Sequence, residues 1–152
     1  MDVLLNWKNK MAFDAVAGSG FHQALDASTS VGGENSAASP MEFIAMGLAG
    51  CTGMDVISIL QKKRQSVSNF QVKVHTEQSS EHPKVFTSAV IEYIIAGENI
   101  SEEAVHRSIQ LSAEKHCPAQ AMLRKAFPIK MIYKINNANG ELIKEGEYHQ
   151  IN

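Results

Sequence analysis

Read as apolar and polar positions, the chain is a series of short alternating runs interrupted by one long apolar stretch. Val3, Leu5 and Trp7 alternate with Asp2, Asn6 and Lys8, which predicts a first strand with one buried face, followed by a turn at Asn9 and Lys10. Met11 to Val16 and His22 to Asp26 read as two more strands on either side of Gly18, Ser19 and Gly20, so the opening is an antiparallel meander. Ala27 to Ala38 is small, polar and glycine-containing, a loop. Alternation resumes later, with Phe70, Val72, Val74 and Thr76 on one face of a half-exposed strand. A second strand runs from Val85 to Ile95, with Ala89, Ile91, Tyr93 and Ile95 on one face and Gly97 as its stop. Ile129, Met131, Tyr133 and Ile135 mark another strand, and Asn139 and Gly140 turn the chain into an edge strand over Glu141 to Glu147.

Between these runs lies Ser39 to Gln65, one long helix. Ser39 is its N-cap, Pro40 occupies the first helical position, and Glu42 completes a capping box. Lys62, Lys63 and Arg64 place positive charge at its carbonyl end, and Ser66, Ser68 and Asn69 break the pattern. From Phe43 to Leu60 the strongly polar side chains are Thr52, Asp55 and Ser58, so nearly every face needs cover. Asp55 in the middle, and strand-like alternation elsewhere, argue against a membrane span. A second helix starts at Ser101 with Glu102 and Glu103, and Pro118 interrupts it. A short helix follows, with Cys117 near its N-cap.

Strands, helix, strands, helix pair, strands is the order of an α+β domain with helices packed on largely antiparallel sheets. One sheet covers only one side of an apolar helix, so the other side is expected to meet a second protomer in an obligate homodimer. With 152 residues, 44% of them hydrophobic, the chain is expected to form a single domain over residues 1–152. A net charge of -2, without long runs of one sign, gives no reason to expect nucleic acid or an anionic membrane as partner. The N-terminal residues lack the basic cluster and long apolar run of a secretory signal, and a cytoplasmic protein is expected. No CxxC or HxxxH spacing marks a metal site, and no cofactor is expected.

The candidate chemistry is in Cys51 and Cys117. At 100° per residue Ala45, Ala49 and Gly53 form a stripe of small residues, and Cys51 points almost directly away from it, on the side of Gly47, Leu48, Asp55 and Ser58. A lone cysteine on such a helix is most often simply packed. Two cysteines in a reducing compartment are catalytic or redox-active when they meet, and sequence alone does not show that they do.

SPMEFIAMGLAGC, ending at Cys51, followed later by EKHCPAQAML around Cys117, resembles the OsmC/Ohr family of osmotically induced and organic hydroperoxide resistance proteins. The resemblance covers most of the chain. It implies an intertwined homodimer, with sheets wrapped around two long central helices and active sites at the subunit interface. It also implies a thiol peroxidase in which Cys51 attacks the peroxide oxygen to give a sulfenic acid and Cys117 resolves it as a disulfide. External dithiols, lipoyl groups in the best-known branch, restore the thiols.

Two features of the peroxidase branches are missing: an arginine before the central helix, and a glutamate directly after the helix-starting proline. The arginines here are Arg64, Arg107 and Arg124, and Met41 follows Pro40. Glu42, nine residues from Cys51, falls about 180° away on a straight helix and is read as the capping-box residue. Cys51 lies about three turns inside the helix, beyond the reach of the macrodipole, and Asp55 adds a negative charge that opposes ionisation of the thiol. Cys117, at a helix start, has N–H groups that favour a thiolate. Lys10 and His22, in the N-terminal strands, are the candidates to replace the arginine as cation, although such side chains more often lie solvated on a sheet surface. The alternative to catalysis is an OsmC-like protein that binds a small apolar ligand at the dimer interface, with Cys51 merely packed.

Overall fold

The computed structural model describes residues 1–149. The chain forms two compact units, Met1–Ile44 and the remainder from Ala45 onward, and one long helix runs through the division.

The first unit is a three-stranded antiparallel meander: β1 (Val3–Asn9), β2 (Ala12–Ala17) and β3 (His22–Leu25), in that order. Trp7 pairs with Phe13, and Phe13 with Leu25, but the face of Val3, Leu5 and Trp7 that was expected to be buried is exposed, because nothing within this unit covers it. The Ala27–Ala38 loop contains a short 3-10 turn, Thr29–Val31, and is organised by Asp26. This buried carboxylate accepts bonds from the backbone N–H groups of Ala27, Glu34 and Ser36 and from the Ser36 hydroxyl. The bonds from Ser36 lead in holding Asp26 well below the usual carboxylate range. Apart from Asp26, residues 1–44 hold no buried side chain, and Leu4, Trp7 and Phe21 are all exposed.

Helix α1 spans Pro40–Lys62. Its capping box is formed: Ser39 N–H donates to Glu42 Oε2 at 2.7 Å, and Glu42 N–H to Ser39 Oγ at 3.4 Å. At the other end Arg64 adopts a left-handed conformation, φ 56°. Its N–H reaches Gln61 O, and Gln65 N–H reaches Leu60 O, which together make a Schellman motif without glycine.

In the second unit, β4 (Ser66–Gln78), β5 (Phe86–Glu98), β6 (Ile129–Asn136) and β7 (Leu142–Tyr148) form a sheet in that order. β4 begins at Ser66, so the serines and asparagine expected to break the pattern are its first residues, paired across a bulge between Val67 and Asn69. All strand pairs are antiparallel except β5 with β6. A parallel neighbour needs a long crossover, and the helical segment between these strands supplies it. That segment is α2 (Glu102–Leu111), a π-helical turn over Ser112–His116, and α3 (Pro118–Leu123).

Ala89, Ile91, Tyr93 and Ile95 of β5, with Met131, Tyr133 and Ile135 of β6, form the buried face as the alternation predicts. α1 lies on this face through Leu48, Thr52, Gly53, Val56 and Leu60. Gly53 permits the closest approach, since a Cβ there would meet Val72 Cγ2 at 3.2 Å. α1 is long and apolar enough to cross a membrane by length and composition, yet this stripe is packed as a core helix is. Its opposite side is open: Met46 is 53% and Met54 75% exposed, and among the described residues nothing would lie within 4 Å of a Cβ at Gly47 or Gly50. Two tyrosine–glutamate bonds tie the crossover to the sheet, Tyr133 to Glu102 and Tyr148 to Glu114, each 2.7 Å.

Candidate functional site

Cys51 and Cys117, separated by 66 residues, meet. Cys117 donates its S–H to Cys51 Sγ at 2.9 Å. Cys51 is half-buried on α1, while Cys117 is 3% exposed. A disulfide bond is about 2.05 Å long, so closing one from this contact takes roughly 1 Å of movement.

Local sequence sets Cys117 in place. Pro118 starts α3 at its first position, which leaves Cys117 as N-cap with extended backbone, φ -78° and ψ 103°. Its Sγ accepts from Gln120 N–H at 3.4 Å. Its own N–H donates to Ser112 O at 2.9 Å, across the π-helical turn. The N-cap position does not yield a thiolate as expected from the helix start. Burial is the largest effect and pushes the Cys117 thiol up, and the bond it donates to Cys51 adds to this, so it stays protonated through the neutral range.

Beside the sulfurs runs a buried polar network centred on Thr52, the residue after Cys51. Thr52 Oγ1 is bonded to Tyr93 Oη at 2.5 Å and Ser112 Oγ at 3.0 Å, and it accepts from Gln120 Nε2 at 2.8 Å. Ser112 Oγ also bonds to Asp55 Oδ2 at 3.1 Å, so this carboxylate is engaged by a hydroxyl of the π-helical turn. Burial pushes the Tyr93 phenol well above its ordinary range. Every buried side-chain N and O among the described residues has a partner. Thr52 stood out in the sequence only as a polar residue in an apolar helix, and Tyr93, Ser112 and Gln120 carried no signal of joining it.

Within residues 1–44 both candidate cations are engaged locally: Lys10 pairs with Glu34 at 2.5 Å, and His22 with Asp14 at 3.0 Å. Of the arginines, Arg107 donates to Gln110 at 2.7 Å and Arg64 forms the end of α1. Arg124 lines an open groove of about 770 Å³ with Lys125, Lys130 and His149. What the site holds chemically is therefore a pair of sulfurs in contact, Cys117 buried and protonated, next to a fully bonded hydroxyl cluster and an open, glycine-bordered face of α1.

Comparison with known proteins finds relatives of the chain and of its fold. Residues 33–132 match a family described as OsmC-like protein. The chain is 36% identical over 135 residues to the protein YhfA of Escherichia coli strain K12, which covers 89% of this chain and 98% of YhfA. A hypothetical protein from Aquifex aeolicus VF5, of known crystal structure, is similar with a TM-score of 0.78 at 26% identity, over 90% of this chain and 96% of that one. An organic hydroperoxide resistance protein OsmC from Legionella pneumophila shares the fold, with a TM-score of 0.63 at 14% identity over 90% and 97% of the two chains.

Proposed function

The chain belongs to the OsmC-like family, and from that premise we propose that it is a thiol-dependent peroxidase reducing organic hydroperoxides through Cys51 and Cys117. The observation that carries this reading is the 2.9 Å contact in which Cys117 is donor and Cys51 acceptor. Cys51 is the half-exposed member of the pair and the one a peroxide reaches, with the buried Cys117 in contact behind it. Cys51 thiolate attacks the outer oxygen of the hydroperoxide, the O–O bond breaks, and the alkoxide takes up the proton Cys51 released on ionising and leaves as the alcohol. The sulfenic acid on Cys51 is then attacked by Cys117; the S–S bond forms and water leaves. The two thiols have given two electrons, and a small dithiol reductant returns them by exchange.

The same reading takes residues 1–152 as one OsmC-like domain completed by a second copy, in the cytoplasm. Supporting it are the open Met46–Gly50–Met54 side of α1, where two glycines admit close approach of another helix, and a first unit with no apolar core of its own. The homodimer is tested by a melting temperature that rises with protein concentration.

Catalysis is tested by turnover of cumene hydroperoxide with dithiothreitol as reductant. Wild type should turn over, and Cys51→Ser should lose activity entirely. Equal rates in the two would exclude Cys51 as nucleophile. One observation favours a second reading: residues 1–44 contain no arginine, and Lys10 and His22 are paired there with carboxylates. Under that reading the protein binds a small apolar ligand at the dimer interface. Cys51→Ala then leaves the affinity for such a ligand nearly unchanged, and neither protein turns over peroxide.

A further inference from the structure

We propose that Gln120 is a positioning residue for the thiol pair, holding the two sulfurs in contact by bridging the start of α3 to the residue next to Cys51. This rests on the reading of Cys51 and Cys117 as a redox pair. Gln120 bonds to the Cys117 sulfur itself as well as to α1, whereas Ser112, which also reaches both halves, touches Cys117 only through that cysteine's backbone N–H. The Gln120 backbone N–H donates to Cys117 Sγ at 3.4 Å, and its side-chain Nε2 donates to Thr52 Oγ1 at 2.8 Å. The sulfurs sit on different elements, Cys51 within α1 and Cys117 at the tip of α3. The backbone bond from Cys117 to Ser112, whose hydroxyl is bonded to Thr52 and Asp55, joins the π-helical turn to α1. The side chain of Gln120 adds the tie from α3 itself.

Gln120 stands three residues after an N-cap, where a glutamine ordinarily reaches back to the N-cap N–H. Here that N–H is taken by Ser112 O, so the amide is released to cross to α1. It is 2% exposed, and its bond lies where water does not compete. A tether present in the reduced protein settles in advance the entropy of bringing the two thiols together. Without it the reduced state gains freedom that disulfide closure must then remove.

The experiment is a redox titration of the whole protein in mixtures of reduced and oxidised dithiothreitol. The protein dithiol gives two electrons and two protons to oxidised dithiothreitol, whose S–S bond breaks as the Cys51–Cys117 bond forms. No peroxide is involved. Gln120→Met keeps size and the backbone N–H while removing the amide, and Thr52 still has Tyr93 and Ser112 as partners. The expected result is an equilibrium constant for disulfide formation at least about tenfold smaller than wild type, or about 30 mV for a two-electron couple. Alkylation of Cys51 in a Cys117→Ser background should be the same with and without the change, because the tether acts on the pair. Tyr133→Phe, which loses a bond elsewhere in the unit, should leave the redox equilibrium at the wild-type value. Gln120→Leu is read in the same way and covers a methionine variant that does not fold. A wild type that forms the disulfide, with both Gln120 variants within twofold of it, would overturn the role of Gln120 and leave the redox pair standing. A wild type that forms no disulfide at any ratio would overturn the paired-thiol reading and this one with it.

Discussion

Thr52→Val is the sharpest test of the buried network. Valine has nearly the shape of threonine, so the change removes a hydroxyl and little packing. Thr52 Oγ1 serves three partners at 2.5, 3.0 and 2.8 Å. Ser112 keeps its bond to Asp55, which leaves the Tyr93 hydroxyl and the Gln120 amide as buried groups deprived of a partner. Each such group costs about 1–3 kcal/mol. Because the phenol and the amide are close enough to interact, part of that loss is recovered, and the expected destabilisation is about 2–4 kcal/mol.

The assay is urea unfolding at one fixed protein concentration, with equal m values required before the free energies are compared. Thr52→Ser restores the hydroxyl and should recover most of the loss. Tyr93→Phe should cost less than Thr52→Val, about 1 kcal/mol, because it takes only one partner from Thr52. The double variant should be non-additive by about 1 kcal/mol, the amount expected of groups in one network. A Thr52→Val protein within about 0.5 kcal/mol of wild type would mean that the hydroxyl is not the hub its distances indicate.

Three other outcomes follow from single positions or groups. Arg64→Gly should stabilise the protein by about 0.5–1 kcal/mol, since glycine accepts the left-handed conformation that ends α1 without a Cβ penalty, as thermal unfolding would read. Gly146→Ala should cost about 1–3 kcal/mol in the same assay, because a Cβ there runs into the Tyr133 hydroxyl that is bonded to Glu102. Stability should fall at both ends of the pH scale. Burial leads in pushing Tyr133 and Tyr148 from 10.0 to about 12, so their contribution is complete below pH 10 and is lost as pH rises towards 12. Asp26, Glu102 and Glu114 are lowered, the two glutamates chiefly by bonds from tyrosines. Their contribution is present above the unfolded-state values near 4 and is lost as pH falls below them. Fluorescence-detected unfolding from pH 2 to 12 should show a plateau between, and a maximum at either extreme would contradict the assignment.

What could be read from the sequence was local. Ser39, Pro40 and Glu42 gave away the start of α1, and the alternation of β5 and β6 gave their buried faces. The basic run Lys62–Arg64 marked the end of α1 to within a few residues, but not how it ends, because a Schellman motif usually announces itself by glycine and here Arg64 carries the left-handed turn. Ser66 to Asn69 looked like a break because an exposed edge strand needs no apolar face. The site was legible only through family resemblance. Thr52 meets partners 41, 60 and 68 residues away, and the two cysteines are 66 apart. Such pairings come from the crossover, and no periodicity reports them.

Without a family arginine, the S–H of Cys117 is the donor to Cys51 among the described hydrogen bonds. That gives Cys117 two duties that conflict. Burial keeps it protonated, which suits a donor to the attacking sulfur, but a protonated sulfur is a poor nucleophile for the sulfenic acid formed next. The resolving step should therefore be the slow one at neutral pH. It should speed up as pH rises, by up to about tenfold per unit while the thiolate fraction grows. In a single turnover with one equivalent of cumene hydroperoxide, rapid mixing with dimedone should trap Cys51 sulfenic acid in wild type at pH 7. The trapped fraction should shrink by pH 9, and in Cys117→Ser it should be high at both. A wild type that yields no trapped sulfenic acid at pH 7, while still forming the disulfide, would show that Cys117 loses its proton readily in place. The thiol pair would then owe its reactivity to some group other than the S–H contact.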